Sequence, residues 1–406
     1  MSARFSMVKN SFQRSLEQRL GLVREQNLFR ELRRVDSAQG PRIEIGGRTF
    51  LNFSSNDYLG FANHPSLKEA AVHAIEKFGA GAGASRLICG SLAPFHELEE
   101  TLAAFKKTEA ALTFSTGYAA AVGTITSLVG KDDIIILDKL VHACIVDAAK
   151  LSGAKLRVFD HNDLDDLEKI LRWSSTFRLS GNTLKRELQP HTLIVTESIF
   201  SMDGDTAPLR EIVALKEKFG AWLMVDEAHA TGLYGKNRCG LAEELGVSGQ
   251  IEIQMGTLGK ALGASGGYIC GRRALIDFLV NRARSFIFST APVPAAAAAA
   301  TAGIQLVQSA EGTARRKKLF ERVAELNSKL KIKNAKFSGA IVPLILGDET
   351  KATEAANVLR EQNIFVPAIR YPTVARGAAR QRVTLTADHS AEDVSLLARA
   401  LDALVH

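Results

Sequence analysis

The chain has 406 residues, of which 46% are hydrophobic and 23% charged, a balance typical of a globular protein with one large domain and a smaller one. No apolar stretch reaches membrane-spanning length. The net charge of +7 could suggest a nucleic-acid ligand, but the basic residues are spread along the chain. The densest basic run, at 315–318, shares its predicted helix with Glu321 and Glu325, which indicates a solvated face. A basic balance also suits anionic substrates such as thioester carriers.

The N-terminal segment, residues 1–50, predicts a helix and a hairpin. Its first sixteen residues lack acids and faintly resemble a transit peptide, although a flexible N-terminus or a first helix is favoured. Apolar positions over 11–35 have helical spacing, interrupted near Gly21. Two short strands at 42–45 and 49–51 flank Gly46-Gly47, which is a hairpin signature.

Residues 51–305 alternate helices with strands, which predicts a mainly parallel sheet covered on both faces. A turn-rich stretch with buried aromatic residues (52–60) and a glycine-rich stretch without regular structure (79–87) come early in this domain. Helices are expected near 66–78, 94–106, from 117, 141–150, 163–172, 208–219 and around the alanine run 295–300. Strands are expected near 110–114, 133–137, 155–159, 192–196, 221–226 and 251–255.

Residues 306–406 predict a small C-terminal α+β domain. A long charged helix is expected near 306–330, followed by strands near 340–346, 364–366 and 381–386 and helices near 350–362 and 391–404. The fold class is therefore α/β, with a large domain and a smaller α+β domain. Four cysteines lack Cys-x-x-Cys spacing and lie in segments predicted as core or active-site edge, which favours reduced thiols in a cytoplasmic enzyme: Cys89, Cys144, Cys239 and Cys270.

One lysine stands out because of its surroundings. The stretch Met255–Gly263 places Lys260 in a glycine-rich turn between the apolar runs 251–255 and 267–270. Such a lysine alone is more often solvated than functional. However, a predicted buried strand ends upstream in Asp226 and His229. A lysine for an aldehyde and an acid for a ring nitrogen are what pyridoxal phosphate requires.

Other polar groups are predicted at the same sheet edge, because ligands of parallel α/β sheets sit outside the carboxyl ends of the strands. Gly117 and Tyr118 open a helix, whose N-terminal amides could bind a phosphate. His142 could stack on the cofactor ring, and His229 could reach the ring oxygen. The alternatives are that Asp226 caps the following turn and that His229 is a core histidine with satisfied hydrogen bonds.

Several motifs together resemble the α-oxoamine synthases, which are fold-type I pyridoxal-phosphate enzymes, from about residue 28 to the C-terminus. The motifs are Asn56-Asp57-Tyr58-Leu59-Gly60, Ser85-Arg86-Leu87, Thr116-Gly117-Tyr118, 196–205, 225–229, 256–260 and Phe288-Ser289-Thr290. The resemblance implies an aspartate aminotransferase-like fold and a homodimer. No metal is expected.

The resemblance also implies a role for each candidate residue. Lys260 would bind the cofactor aldehyde, Asp226 the pyridine nitrogen, and His142 would stack on the ring; with His229 they are the catalytic candidates. The other cofactor contacts would be Ser201 near the ring oxygen, Gly117, Tyr118 and Thr257 at the phosphate, and Ser289 or Thr290 from a second subunit. The substrate side would comprise Arg382 for the amino-acid carboxylate, Asn56, Glu197, and Arg30 or Arg370 for the acyl chain.

The implied reaction joins an amino acid to an acyl thioester of coenzyme A or acyl carrier protein, with loss of carbon dioxide. The segments 368–374 and 380–386 are similar to the subgroup that uses L-alanine and a pimeloyl thioester in biotin biosynthesis. Alternatives are a glycine-using relative, a long-chain amino-ketone synthase, a catalytically silent partner subunit and, without a supporting motif, a nucleic-acid-binding protein. Retention of Lys260, Asp226 and His142 argues against the silent subunit.

Four features depart from the family pattern or extend it. Gln381 replaces an apolar residue, which leaves the placement of Arg382 open, and Ala230 stands where glycine is common. The segment Trp173–Pro190 is longer than expected, without a physical explanation. The run Phe286–Thr290, apolar and ending in two hydroxyls, is expected to be an interface strand.

Overall fold

The computed structural model describes residues 2–180, 190–331 and 337–405. Its N-terminal part contains α1 (Ser2–Glu25) and the hairpin β1 (Arg42–Ile45) and β2 (Arg48–Asn52). The helix passes through Gly21, so the predicted interruption is wrong. The prediction that helix extends to residue 35 is also wrong. The chain leaves the helix at Asn27, whose left-handed φ of 54° is typical of a helix C-terminus.

The centre of the molecule is a seven-stranded sheet. Its strands are β3 (Ala110–Phe114), β4 (Ile134–Asp138), β5 (Lys155–Phe159), β6 (Thr192–Glu197), β7 (Trp222–Asp226), β8 (Ile253–Thr257) and β9 (Gly267–Gly271). Their spatial order is β3-β9-β8-β7-β6-β4-β5. Strand β9 runs antiparallel to both of its neighbours, and β4 to β8 are parallel. The predicted mainly parallel sheet is confirmed.

Helices cover both faces of this sheet. They are α2 (Pro65–Phe78), α3 (Ala93–Lys106), α4 (Gly117–Leu128), α5 (Ala143–Ser152), α6 (Leu164–Ser180), α7 (Leu209–Phe219), α8 (Leu241–Glu244), α9 (Arg273–Arg282), α10 (Arg284–Ile287) and α11 (Pro294–Gln308). One core, containing Ile125, Ile145 and Leu279, lies under α4, α5, α9 and α10. The larger core lies under the other helices and contains Phe95 and Ile304.

The C-terminal part is an α+β unit, as predicted. Its elements are α12 (Ala310–Lys329), β10 (Ile341–Gly347), α13 (Glu349–Glu361), β11 (Ile364–Phe365), β12 (Ala368–Ile369), β13 (Ala379–Thr384) and α14 (Ala391–Val405). Strand β13 is central in an antiparallel sheet with β10 and β12. Strand β11 instead pairs in parallel with β2, which joins the N-terminal hairpin to this unit.

Other local predictions need correction. The charged helix begins at Ala310 and not near 306, because the Ser309 hydroxyl accepts a hydrogen bond from the Gly312 amide and caps the helix. The run Phe286–Thr290 is not a strand. Its first residues belong to α10, and the Phe286 ring is buried against Phe114 at a centroid distance of 6.0 Å.

Three further observations concern the rest of the chain. Of the predicted insertion Trp173–Pro190, the part at 181–189 lies outside the described residues. All four cysteines are free thiols, but Cys89 is exposed and not in the core. Among the described helices, none combines the length and the apolar character needed to cross a membrane.

Candidate active site

The parallel strands deliver acids and a lysine to one edge of the sheet. Glu197 and Asp226, the last residues of β6 and β7, are register partners, and Asp226 is also paired with Met255 in β8. Lys260 follows three residues after the end of β8, in the turn that leads to β9. The predicted convergence of these residues is therefore present in the backbone.

The Lys260 amine begins a short chain of hydrogen bonds. Its Nζ lies 2.7 Å from His229 Nε2, and His229 Nδ1 lies 2.6 Å from the hydroxyl of Tyr58. Burial and the charge of Lys260 lower the pKa of His229 well below its ordinary value, so the ring is neutral. One ring nitrogen then donates and the other accepts. Tyr58 was not predicted as a site residue, although its position in a turn-rich stretch with buried aromatic residues was a usable signal.

The same surroundings change the acidity of Lys260. Burial, together with the charge of Arg382, lowers its pKa to about 8, although the carboxylates of Asp226 and Glu197 act in the opposite direction. Because an ordinary lysine titrates near 10.4, a substantial fraction of this amine is neutral at physiological pH. A neutral amine is the form that attacks an aldehyde or accepts a proton.

The two acids differ in their hydrogen bonds. Asp226 is buried, and its Oδ1 accepts from the Ala228 amide at 2.9 Å. It therefore does cap the following turn, but within the described ranges no hydrogen bond to its Oδ2 is found. Glu197 accepts from the Ser201 amide at 3.1 Å. Burial, followed by the charge of Asp226, raises the pKa of Glu197 well above its ordinary value.

His142 occupies the N-terminus of α5. Its Nδ1 accepts from the Cys144 amide at 3.2 Å, which fixes the ring as the cap of that helix. Partial burial lowers the pKa of His142 below its ordinary value, and Lys260 acts in the same direction. An imidazole that is neutral and held by its own helix is suited to stacking on an aromatic ring.

The N-terminus of α4 meets the Lys260 turn. Thr116 caps the helix by accepting from the Ala119 amide at 3.0 Å, and among the described residues no acceptor takes the amides of Gly117 and Tyr118. A Cβ placed on Gly267 would lie 2.6 Å from the nitrogen and the Cα of Gly117, so β9 approaches the start of α4 closely at this glycine pair.

The side chains of Thr257 and Tyr118, near this helix terminus, make different contacts. The Thr257 hydroxyl donates to the Gly266 carbonyl at 2.9 Å and lies beside Gly117. Tyr118 is half exposed, and its hydroxyl donates to Asp147 at 3.1 Å, away from the helix terminus. Among the described residues, the amides of Gly117 and Tyr118 are thus the available donors, and the side chain of Thr257 lies beside them.

Arg382 brings the C-terminal sheet into the site. Its Nε donates to the Ser201 carbonyl at 2.5 Å, and its Nη1 donates to Asn56 and Thr384, each at 3.1 Å. Its Nη2 is buried without a hydrogen-bond partner in the described structure. Gln381 points to the other side of β13 and donates to the Ala352 carbonyl of α13. The placement of Arg382, left open by the sequence, is thus determined by its own contacts.

Four predicted residues lie apart from this constellation. Arg30 donates to the Tyr371 carbonyl at 3.1 Å, and Arg370 donates to the carbonyls of Asn27 and Phe29, so the two hold the N-terminal segment against the segment after β12. Thr290 forms an isolated β-bridge with Ser85, and Ser289 precedes it. Within the described chain, no contact joins these four residues to Lys260.

The residues present fit pyridoxal phosphate. The site offers a lysine with a lowered pKa and an acid with one oxygen that accepts no described hydrogen bond. It also offers a neutral histidine at a helix terminus and a cluster of amide donors where a helix begins. These are the partners that the cofactor's aldehyde, ring nitrogen, ring face and phosphate require. The buried, unpartnered Nη2 of Arg382 adds a site for a substrate anion.

Comparisons with known proteins show the family to which this chain belongs. The family model for aminotransferase class I and II matches residues 48–401. The chain is 45% identical over 391 residues to the 8-amino-7-oxononanoate synthase of Geobacter sulfurreducens. The aligned region covers 96% of this chain and 97% of that protein.

Solved structures agree as well. A structure of SPT with its PLP internal aldimine is 29% identical, with a TM-score of 0.86 and 97% of each chain covered. The 8-amino-7-oxononanoate synthase of Francisella tularensis is 28% identical, with a TM-score of 0.71 over 87% of this chain and 96% of the other.

Proposed function

The chain belongs to the class I and II aminotransferase family of pyridoxal-phosphate enzymes, and from this premise we propose that it condenses L-alanine with a pimeloyl thioester. The products are 8-amino-7-oxononanoate, carbon dioxide and the free thiol carrier, a step of biotin biosynthesis. The observation that carries the proposal is the buried guanidinium of Arg382. Its unpartnered Nη2 can donate to an amino-acid carboxylate beside Asn56, and its charge acts on Lys260.

The cofactor contacts follow from the donor set. Lys260 would bind the aldehyde, Asp226 would hold the proton of the ring nitrogen, and His142 would stack on the ring. The amides of Gly117 and Tyr118, with Thr257, would bind the phosphate, and His229 and Ser201 would be near the ring oxygen. When bound, pyridoxal phosphate supplies a sink for the electron pair that the amino-acid Cα carries after losing its proton.

The protein's own residues manage the proton and the orientation. Arg382 binds the alanine carboxylate and Asn56 steadies the guanidinium, which fixes the direction in which the Cα–H bond points. The Lys260 amine is the group that would take the Cα proton. His229 and Tyr58 hold that amine in place through the 2.7 Å and 2.6 Å contacts. Glu197 holds the Ser201 loop on the substrate side through the Ser201 amide.

The acyl donor is assigned from the relatives' names and from the similarity of 368–374 and 380–386 to the alanine-using subgroup. Arg30 and Arg370 are proposed to lie where the acyl chain enters, with a guanidinium available for its distal carboxylate. Either coenzyme A or acyl carrier protein can serve as the thiol carrier. Discrimination of alanine from glycine rests on one methyl group, worth about 1–3 kcal/mol.

A crossed thioester-depletion assay tests this function. Alanine, glycine and serine are each paired with acetyl, pimeloyl and palmitoyl donors. We expect the highest kcat/KM for alanine with the pimeloyl donor, and release of carbon dioxide equal to release of thiol. Faster turnover of glycine with acetyl-CoA would assign the chain to the glycine-using relatives, and preference for serine with palmitoyl-CoA would assign it to the long-chain synthases.

The active unit is proposed to be a homodimer in which Ser289 or Thr290 completes the phosphate site of the other subunit. Two observations support this. Within one chain these hydroxyls make no described contact with the Lys260 site, and the neighbouring Phe288 is 70% exposed.

A further inference from the structure

Three ionisable side chains, Asp138, His161 and Asp205, form a hydrogen-bonded row beside the site, and the mechanism above does not use this row. His161 Nδ1 is 2.9 Å from Asp138 Oδ1, and His161 Nε2 is 2.7 Å from Asp205 Oδ2. Both nitrogens face carboxylates, so both can donate only when the ring is protonated. Burial alone would lower the pKa of His161, but the hydrogen bonds and charges of Asp138 and Asp205 raise it to about 10. The ring is therefore a cation at physiological pH.

On one side the row holds the loop that carries His142. Asp138 is the last residue of β4 and is buried. Besides His161, its carboxylate accepts from the amides of Leu140 at 2.8 Å and Asn162 at 3.0 Å. The path from Asp138 to His142 is only four residues long, so the position of this carboxylate limits where the imidazole of His142 can lie.

On the other side the row holds the loop that carries Ser201. This loop is closed by the Ile199–Thr206 bridge and by a hydrogen bond from the Phe200 amide to the Asp205 carbonyl at 3.0 Å. The ring of Phe200 meets that of His161 edge-on, at a centroid distance of 4.3 Å. The carbonyl of Ser201 is the acceptor for Arg382 Nε, so this loop sets the direction of the guanidinium.

We propose that His161 is a positioning residue, whose cation bridges Asp138 and Asp205 and thereby sets the His142 loop and the Ser201–Arg382 contact relative to each other. The inference rests on the proposed function, because it assigns His142 to the cofactor and Arg382 to the amino acid. The two contacts of His161 should have separable effects. The contact with Asp205 supports amino-acid binding through the Ser201 loop, and the contact with Asp138 supports cofactor binding through the His142 loop. His161 belongs to both.

The chain provides a matched control for the clamp formed by these three residues. Lys139 and Asp160 form an ion pair of 2.9 Å between the loop after β4, next to Asp138, and the loop after β5, next to His161, but both side chains are largely exposed. Exposed pairs contribute little to stability or geometry. Lys139→Gln therefore removes a salt bridge from these loops without removing the buried bridge through His161.

The test compares His161→Gln, Asp205→Asn, Asp138→Asn and Lys139→Gln. The holoenzyme is titrated with L-alanine in the absence of thioester, followed by cofactor absorbance, and pyridoxal phosphate is titrated into the cofactor-free protein. We expect Asp205→Asn to raise the Kd for alanine about tenfold and to leave the cofactor Kd within twofold, and Asp138→Asn to show the reverse. His161→Gln should raise both constants, and Lys139→Gln neither.

The clamp is overturned if His161→Gln lowers the thermal unfolding midpoint while both dissociation constants stay at wild-type values, because the residue would then serve stability alone. If His161→Gln fails to fold, the two aspartate variants decide the matter, and equal effects of both on both ligands would overturn the proposal. A wild-type protein that does not respond to alanine contradicts the proposed function only. The cofactor constants of His161→Gln and Asp138→Asn then uphold or overturn the clamp.

Discussion

At the scale of single residues, the properties of Lys260 are set by four neighbours. His229 is a hydrogen-bond partner without charge, Arg382 repels a protonated amine, and the acids Asp226 and Glu197 hold the proton back. Because burial and Arg382 outweigh the acids, the amine releases its proton more readily than a solvated lysine. The reactive form is thus prepared before any ligand arrives.

This acidity predicts a pH dependence for capture of pyridoxal phosphate by the cofactor-free protein. Only the neutral amine attacks the aldehyde, so the rate should rise about tenfold per pH unit below the pKa of about 8 and level off above it. Stopped-flow absorbance from pH 6 to 10 measures this rate. In Arg382→Gln the levelling should move to higher pH, because a positive charge that lowers the pKa is gone. A rate that is flat between pH 6 and 9 would contradict the assignment.

Arg382→Lys should weaken alanine binding. An ammonium group cannot reproduce the planar fork that contacts Ser201, Asn56 and a carboxylate together. A lost hydrogen bond to a charged group costs about 1.5–3 kcal/mol, so the KM for alanine should rise about 10- to 100-fold. The KM for the thioester serves as the control and should change little. An unchanged alanine KM would remove Arg382 from the substrate site.

Asp226→Asn separates the two roles of this acid. The amide oxygen can still accept from Ala228, so the turn and the unfolding midpoint should be retained. A neutral side chain cannot hold the ring nitrogen protonated, so kcat should fall by about 100-fold or more. Thermal unfolding and steady-state kinetics on the same preparation test both statements. Wild-type turnover in this variant would leave Asp226 with its capping role alone.

Individual side chains were predicted from the sequence to different extents. Lys260, Asp226 and His142 were identified because each directly follows or precedes a recognisable strand or helix. Tyr58 and the clamp residue His161 were not assigned, because their partners are distant in sequence: His229 for Tyr58, and Asp138 and Asp205 for His161. Hydrogen bonds between distant residues leave no periodic signal in a single sequence.

At the scale of elements, the contact between β9 and α4 is a close junction of the site. It places the strand after the Lys260 turn directly against the amides of α4, with Gly267 on Gly117. A side chain at Gly267 would require one of the two elements to move. That movement would separate the donors around Thr257 from the lysine turn.

Gly267→Ala should therefore weaken the cofactor site. Its methyl group would meet the Gly117 backbone at 2.6 Å, and such overpacking costs about 1–3 kcal/mol. We expect a lower unfolding midpoint and weaker binding of inorganic phosphate to the cofactor-free protein. Gly249→Ala is the control, because a Cβ there meets nothing within 4 Å. Equal phosphate affinity in both variants would argue against the junction.

Element prediction succeeded where the hydrophobic period was unambiguous. The strands from β3 to β8 and the starts of α4 to α7 were placed to within about two residues, which is the usual accuracy at element boundaries. Helix α6, however, runs to Ser180 and does not end near 172, and the short helix α8 was not predicted. Other errors fell where a single side chain or a single backbone conformation decides. Ser309 divides two helices by capping, Asn27 ends α1 in a left-handed conformation, and β12 is only two residues long.

At the scale of the whole molecule, shared sites predict complementation between chains. A Lys260→Ala chain mixed with a Thr290→Ala chain should form dimers in which one of the two sites carries neither lesion. Activity should therefore recover above that of either parent, after mild unfolding and refolding of the mixture together. Mixing Lys260→Ala with Asp226→Asn is the control and should recover nothing, because both lesions are expected to affect sites on their own chain.

The division of the chain at residues 50 and 305 remains a prediction. Boundaries drawn from the sequence pattern do not show which segments pair in space. The pairing of β2 with β11 is an example. Leu51 lies opposite Ile364, and the Phe53 and Tyr58 carbonyls accept from the amides of Thr384 and Ala387.

This pairing has a consequence for synthesis on the ribosome. Strand β2 emerges about 310 residues before its partner β11, which at about 5–20 residues per second is a delay of roughly 15–60 s. During that interval one edge of the hairpin is open, and the segment that carries Asn56 and Tyr58 lacks the strands that hold it. When β11 emerges, the residues of the Lys260 turn have already been synthesised, while Arg382 is among the last residues to be added. A nascent chain can thus acquire the residues for the cofactor well before it acquires the means to hold an amino acid.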